Sequence, residues 1–213
     1  MKGNSAASRL FVATTEVIMN DLGNWRHICV DAQRMFSEDT PWHVPWMSRV
    51  LPQLQELSER HADRTIFTRF IPPARPDDAA GSWKEYYRKW WMMTGEHLPT
   101  ELLGIAPPLH ALAPPAKIFD KVTYSPWVDG RLFSMLRRMD VDTVVITGGE
   151  TDVCVLATVF GAIDLGFRVV MLSDAVCSGA DETHDAAVDL LRDRFSVQLE
   201  LRKTEEFLSA VPV

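Results

Sequence analysis

The stretch DTVVITGGETDVCV, Asp142 to Val155, decides the fold. Its first half is a run of β-branched residues stopped by glycine, which reads as a strand buried on both faces. Its second half leads into a helix. Cys154 to Leu165 is apolar almost all round, and Gly166 stands where a helix C-terminal glycine belongs. The glycines account for a tight turn. They do not account for the lone thiol a few residues later.

Working outward, the same alternation recurs. Downstream lie a strand in RVVMLSDA, a helix beginning at Asp181 with Ala187, Leu190, Leu191 and Arg194 on one stripe, and a strand in VQLEL. A short helix follows near Glu205 to Ala210. Upstream, HICVD (His27–Asp31), RTIFTRF (Arg64–Phe70) and KIFD (Lys117–Asp120) read as strands. Met47, Val50, Leu51, Leu54 and Leu57 recur at helical spacing, with Pro52 marking a kink or a nearby helix start. Asp129 is placed to cap a helix over Arg131 to Met139, and Ser125 with Pro126 offers an alternative start.

Short, doubly apolar strands between helices specify an α/β fold: a mostly parallel sheet of about six strands with helices on both faces. From about Ile71 to Ala116 the texture changes to prolines and aromatics. We read an insertion carrying one aromatic helix over Ser82 to Met93, within a single domain spanning residues 1–213.

Composition bounds the function. The chain has 213 residues, 46% hydrophobic and 24% charged, with a formal net charge of -7. That balance disfavours a general affinity for nucleic acid or anionic membrane and leaves a small-molecule substrate. Cys29, Cys154 and Cys177 are odd in number and far apart, which fits neither a disulfide framework nor a zinc site and suits a reducing, cytoplasmic setting. The N-terminal stretch to Gly23 is interrupted by Glu16, Asn20 and Asp21, so it does not read as a signal peptide.

In open parallel sheets, chemistry gathers outside the carboxyl ends of the strands. Three ionisable residues fall there: Asp31 after HICV, Lys121 after KIFD, and Cys154 in the first turn after TVVIT. A helix start and a nearby ammonium both favour thiolate, and a carboxylate can shuttle its proton. Turn amides between Gly149 and Cys154 are placed to receive an oxyanion. Each residue alone is more often structural; the combination carries the reading.

These residues resemble the isochorismatase-like cysteine hydrolases. The resemblance rests on Asp31, Gln33 and Phe36 of VDAQRMF, on Lys121 of FDKVTYSPW, and on Gly148, Thr151, Cys154 and Val155 of TGGETDVCVLAT. It runs from about Trp25 to Glu200 and implies a three-layer Rossmann-like fold with an Asp31–Lys121–Cys154 triad. It further implies a thioester acyl-enzyme mechanism on a small amide, carbamoyl or ureido compound, and a homo-oligomer. It also implies a cis peptide between Gly149 and Glu150, aiming the Glu150 and Cys154 N–H groups at the oxyanion. Gln33, Phe36, Arg69 and Trp127 are the expected substrate contacts; for Arg69 a structural ion pair competes.

Glu150 departs from the family pattern, which usually has a small or apolar residue there. Its carboxylate either points away from the sulfur or reads a cationic or amide group on the substrate. The metal branch of the family, the nicotinamidases, carries histidines that the segment after RTIFTRF lacks, so we expect no catalytic metal and no cofactor. Two rivals stay open: a non-catalytic binding or assembly protein on this fold, and an ester or thioester hydrolase using the same triad. A Cys177–His184 dyad is a weaker alternative, because His184 suits a helix start and Cys177 a loop, and a phosphate loop at TGGET is weaker still, since it lacks G-x-G-x-x-G and the Walker lysine.

Overall fold

The computed structural model describes residues 22–211, so the N-terminal reading above falls outside it for positions 1–21. In chain order the elements are β1 (Trp25–Val30), α1 (Arg34–Ser37), α2 (Met47–Arg60), β2 (Thr65–Phe70), α3 (Trp83–Lys89), α4 (Pro107–His110) and β3 (Lys117–Lys121). Then follow α5 (Arg131–Arg138), β4 (Thr143–Gly149), α6 (Leu156–Asp164), β5 (Arg168–Cys177), α7 (Asp181–Arg194), β6 (Leu199–Arg202) and α8 (Thr204–Ala210). The six strands make one sheet in the order β3-β2-β1-β4-β5-β6, and every neighbouring pair is parallel. The chain order reverses between β1 and β4, which is where such sheets open a crevice.

β4 explains why the sheet is parallel and central. All seven of its residues are buried, so neither face tolerates water. Alternation then assigns the faces. Val145 with Cys29 and Phe67 packs under α2, α8 and the aromatic segment, whereas Val144 and Ile146 with Ile28 and Val30 pack under α5, α6 and α7. Each fully buried valine or isoleucine here contributes about 1.5–3 kcal/mol relative to exposure.

Gly148 has a packing reason beyond its turn. Its φ is +102°, and a Cβ there would stand 2.0 Å from the Val30 carbonyl oxygen. No side chain fits between these strand ends, which lets β1 and β4 deliver their next residues to one place.

The local departures from the sequence reading have simple causes. The aromatic helix stops at Lys89 and gives way to a 3-10 turn at Trp91–Met93. No helix begins at Pro126. Instead Ser125 Oγ accepts the Trp127 N–H, and α5 starts after Gly130, whose φ is +71°, with Asp129 Oδ1 accepting the Arg131 N–H at 3.0 Å. Pro52 lies inside α2; it and Ser48 are both exposed, so water can serve the carbonyl that the ring leaves without a donor. Among the described residues no helix is long and apolar enough to cross a membrane.

Candidate active site

The segment after β4 first makes a π-helical turn, Thr151–Val155, and only then continues as α6. The Gly149–Glu150 peptide that leads into it is cis. The Glu150 carbonyl accepts the N–H groups of Val153 and Val155, which closes the turn and holds Cys154 at its inner side. From below, the Thr158 hydroxyl donates to the Cys154 carbonyl at 2.6 Å, and Trp127 Nε1 donates to the Thr158 carbonyl at 2.9 Å. From the side, Thr151 Oγ1 meets His184 Nδ1 at 2.9 Å, and Ser178 Oγ donates to Asp152 Oδ1. The cysteine thus sits on a braced turn.

Asp31 follows β1 directly and has φ +49°, a conformation that asparagine and aspartate adopt more readily than other side chains. Thr68 of β2 fixes it twice: its hydroxyl donates to Asp31 Oδ1 at 2.7 Å and accepts the Asp31 N–H at 3.1 Å. The other carboxylate oxygen, Oδ2, lies 2.7 Å from Lys121 Nζ.

Lys121 ends β3, two strands away from β1. A long stem has to span the end of β2, and it does so over Phe70, with the ammonium 5.0 Å from that ring's centroid. Besides Asp31, Nζ donates to the Thr123 carbonyl at 3.0 Å and faces Cys154 Sγ at 3.7 Å. Asp31 and Cys154 thus both stand against the one ammonium. The three residues named from the sequence therefore meet, although they are distant in the chain.

The electrostatics correct one expectation. Burial first, and then the negative charge of Asp31, push the Cys154 thiol well above its ordinary pKa, against the opposing pull of Lys121. Sulfur therefore rests as a thiol rather than a thiolate. For Lys121, burial works to lower the ammonium pKa, but Asp31 and then Cys154 outweigh it and the net shift is upward. The resting site is a thiol beside a lysine–aspartate ion pair.

Of the three, Cys154 lines a cavity of about 350 Å³. Cys154 is 6% exposed and reaches it. Six rings line the rest: Phe36, Trp42, Phe70, Tyr86, Trp90 and Tyr124. Of these, Tyr86 and Trp90 come from the proline-rich insertion, and the other four lie outside it. Glu150 also stands on the wall, with its carboxylate beside the Gly179 backbone. Burial first, then Asp152 and Asp31, raise its pKa.

Of the expected substrate contacts, Phe36 lines the cavity and three others do not. The amide of Gln33 is consumed by the protein: Nε2 donates to the Phe70 and Leu103 carbonyls, and Oε1 accepts the Phe70 N–H at 2.6 Å. It fastens the end of β2 instead of touching ligand. Arg69 neighbours Thr68 in the strand and so points to the other face. There it grips Asp120 of β3 through two bonds of 2.7 Å. Trp127 packs behind α6, where a Cβ on Gly161 would come within 2.2 Å of its ring. Thr68, Trp42 and Tyr124 were missed. Their only sequence signal is proximity to β2, to Phe36 and to Lys121.

His184 turns to Thr151, and Cys177 sits buried against Met47 and the Gly148 carbonyl, so these two form no dyad. Among the described residues no three His, Cys, Asp or Glu side chains are grouped to hold a metal ion.

A family model described as the isochorismatase domain matches residues 27–203. An uncharacterized isochorismatase family protein of Bacillus subtilis is 36% identical over 76 residues, which are 36% of this chain and 39% of the relative. The matched part thus spans about two fifths of that relative's length. Among solved structures, a cysteine hydrolase from Pseudomonas syringae pv. phaseolicola 1448A superposes with a TM-score of 0.73 at 23% identity, covering 88% of this chain and 94% of that one. An N-carbamoylsarcosine amidase from Thermoplasma acidophilum gives 0.68 at 19% identity, covering 86% and 98%. At these identities the structural likenesses speak for the fold alone, but the family model covers most of the sequence: the chain belongs to the isochorismatase family.

Proposed function

We propose that this protein is a cysteine-dependent hydrolase that cleaves the C–N bond of a small amide, carbamoyl or ureido substrate through a thioester. The observation that carries the reading is the Lys121 ammonium, 2.7 Å from Asp31 Oδ2 and 3.7 Å from Cys154 Sγ, with Cys154 itself lining a ligand-sized cavity.

Because the thiol rests protonated, Asp31 takes its proton as Sγ attacks the carbonyl carbon. The carbonyl oxygen becomes an oxyanion facing the Glu150 and Cys154 N–H groups. Asp31 then gives the proton to the leaving nitrogen, the C–N bond breaks, and a thioester remains. Water attacks the thioester as Asp31 takes a proton from it. Collapse releases the acid, and sulfur recovers its proton from Asp31. Lys121 holds the carboxylate in place and balances the negative charge that passes between oxygen and sulfur. These steps draw on Asp31, Lys121, Cys154 and the turn amides alone.

The test is ammonia release from a panel of small amides and carbamoyl compounds, with the Cys154→Ala protein as blank. Release by the parent and none by the variant is the expected result. A Cys154→Ala protein that hydrolyses at the parental rate removes the mechanism.

A further inference from the structure

The cavity that Cys154 reaches is lined by aromatic rings and by one carboxylate, that of Glu150. Trp42 is the hub. Its ring centroid lies 5.9 Å from Phe70, 6.0 Å from Tyr86, 6.2 Å from Phe36 and 6.3 Å from Trp90. Tyr124 closes the group 6.3 Å from Phe70. Aromatic faces carry negative charge density and attract cations. The cluster already does so at its edges: Lys121 stands over Phe70, and the exposed Lys89 stands 5.3 Å over Trp90.

Glu150 lines the same cavity. Its Oε1 would be 3.1 Å from a Cβ on Gly179, which places the carboxylate against that backbone. Among the described residues no lysine or arginine lies within ion-pair distance of it. The one ammonium inside the site, Lys121, is taken by Asp31. His43 is the remaining titratable group on the cavity wall besides the thiol and the tyrosines. A half-buried carboxylate without a counter-ion is costly unless a ligand brings one.

An apolar aromatic amide would fit the rings. It would, however, strip water from Glu150 and return nothing. A substrate with a positive charge satisfies both features at once, and the net charge of -7 favours its approach. We propose that this cavity selects substrates carrying an ammonium group, quaternary or protonated, seated against Trp42 and its neighbouring rings and counter-charged by Glu150. The carbonyl of the same molecule then faces Cys154. That last step rests on the hydrolase reading above; the ammonium site does not.

Two matched pairs separate the questions. The first is binding alone, followed by tryptophan fluorescence on the intact protein. Choline is compared with its neutral isostere 3,3-dimethylbutan-1-ol. Choline is expected to bind at least about tenfold more tightly, and Glu150→Gln is expected to remove at least about tenfold of its affinity. Trp42→Leu is expected to weaken choline more than the isostere, and it stands in for Glu150→Gln if that variant does not fold. Equal or tighter binding of the isostere, or no choline binding, overturns the ammonium site. The second pair is ammonia release from betaine amide and from 3,3-dimethylbutanamide. Choline binding without thiol-dependent ammonia release from any amide leaves the ammonium site standing and sinks the amidase reading. Equal hydrolysis of both amides, with no preference for choline, does the reverse.

Discussion

Lys121 Nζ lies 2.7 Å from Asp31 Oδ2, with the two side chains only 2% and 1% exposed. Attraction between them in this dry setting is set against the cost of dehydrating both charges. Removing one partner is therefore worse than removing both. Lys121→Met is expected to destabilise by about 3–5 kcal/mol, because it leaves a buried carboxylate alone. Adding Asp31→Asn to it is expected to recover most of that loss without recovering turnover. Urea midpoints for the two single variants and the double variant check this. A double variant as unstable as the sum of the singles means that the pair is not coupled.

The raised thiol pKa separates two roles of Asp31. As proton acceptor it serves hydrolysis, and its loss is expected to lower kcat by about 10²–10⁴-fold. As a negative neighbour it opposes thiolate, and it also occupies Lys121. Asp31→Asn therefore lowers the thiol pKa, and iodoacetamide should label Cys154 faster at pH 8, by about tenfold per pKa unit released. In the parent protein the labelling rate should climb about tenfold per pH unit and show no plateau below pH 9. Peptide mapping by mass spectrometry identifies the labelled cysteine. Parental labelling that is already at plateau by pH 7 contradicts a resting thiol.

The corrected positions give a test of the pocket. Arg69 is bound to Asp120 on the far face of the sheet, so Arg69→Ala is expected to leave kcat/KM within about twofold. Phe36 shares the cavity with Cys154 and stacks on Trp42, 6.2 Å away, and Phe36→Ala is expected to lower kcat/KM by about tenfold or more. The pair is measured side by side on whichever amide proves active. A larger loss at Arg69 than at Phe36 reverses the assignment.

The contrast between these two residues also shows what could be read from the sequence. Asp31, Lys121 and Cys154 were legible because each follows a strand that the sequence marks, and strand ends in a parallel sheet share one edge. Gly148 was legible as a turn, but not as the place where Val30 leaves no room for a Cβ. The misread residues fail for one physical reason. Whether Arg69 or Thr68 faces the site depends on strand parity, and whether the Gln33 amide is free depends on where Leu103 passes. Both are set by tertiary packing. The aromatic wall was harder still, since Trp42, Tyr86 and Tyr124 come from three separate connections. The thiol's charge state turned on burial, which position at a helix start does not reveal.

His27 supplies a prediction about stability. It is fully buried between β2 and β4, with Nδ1 3.1 Å from Thr65 Oγ1 and Nε2 2.8 Å from Thr147 Oγ1. The Thr65 hydroxyl donates to the His61 carbonyl, so it must accept from Nδ1–H, which leaves Nε2 to accept from Thr147. Burial, and then His61, lower the pKa of His27 from 6.5 to about 3. The unfolded chain binds that proton near pH 6.5, and the folded chain resists it until about pH 3. The stabilisation from a neutral His27 is therefore complete above about pH 6.5 and drains as the pH falls toward 3, by up to about 1.4 kcal/mol per pH unit. His61, also lowered by burial first and then by Arg64, adds in the same direction. Urea denaturation at pH 7, 6 and 5, above most carboxylate titration, is expected to show this decline in the parent and a shallower one in His27→Gln. An equal slope in both proteins means that the buried ring is not what makes the fold acid-sensitive in this range.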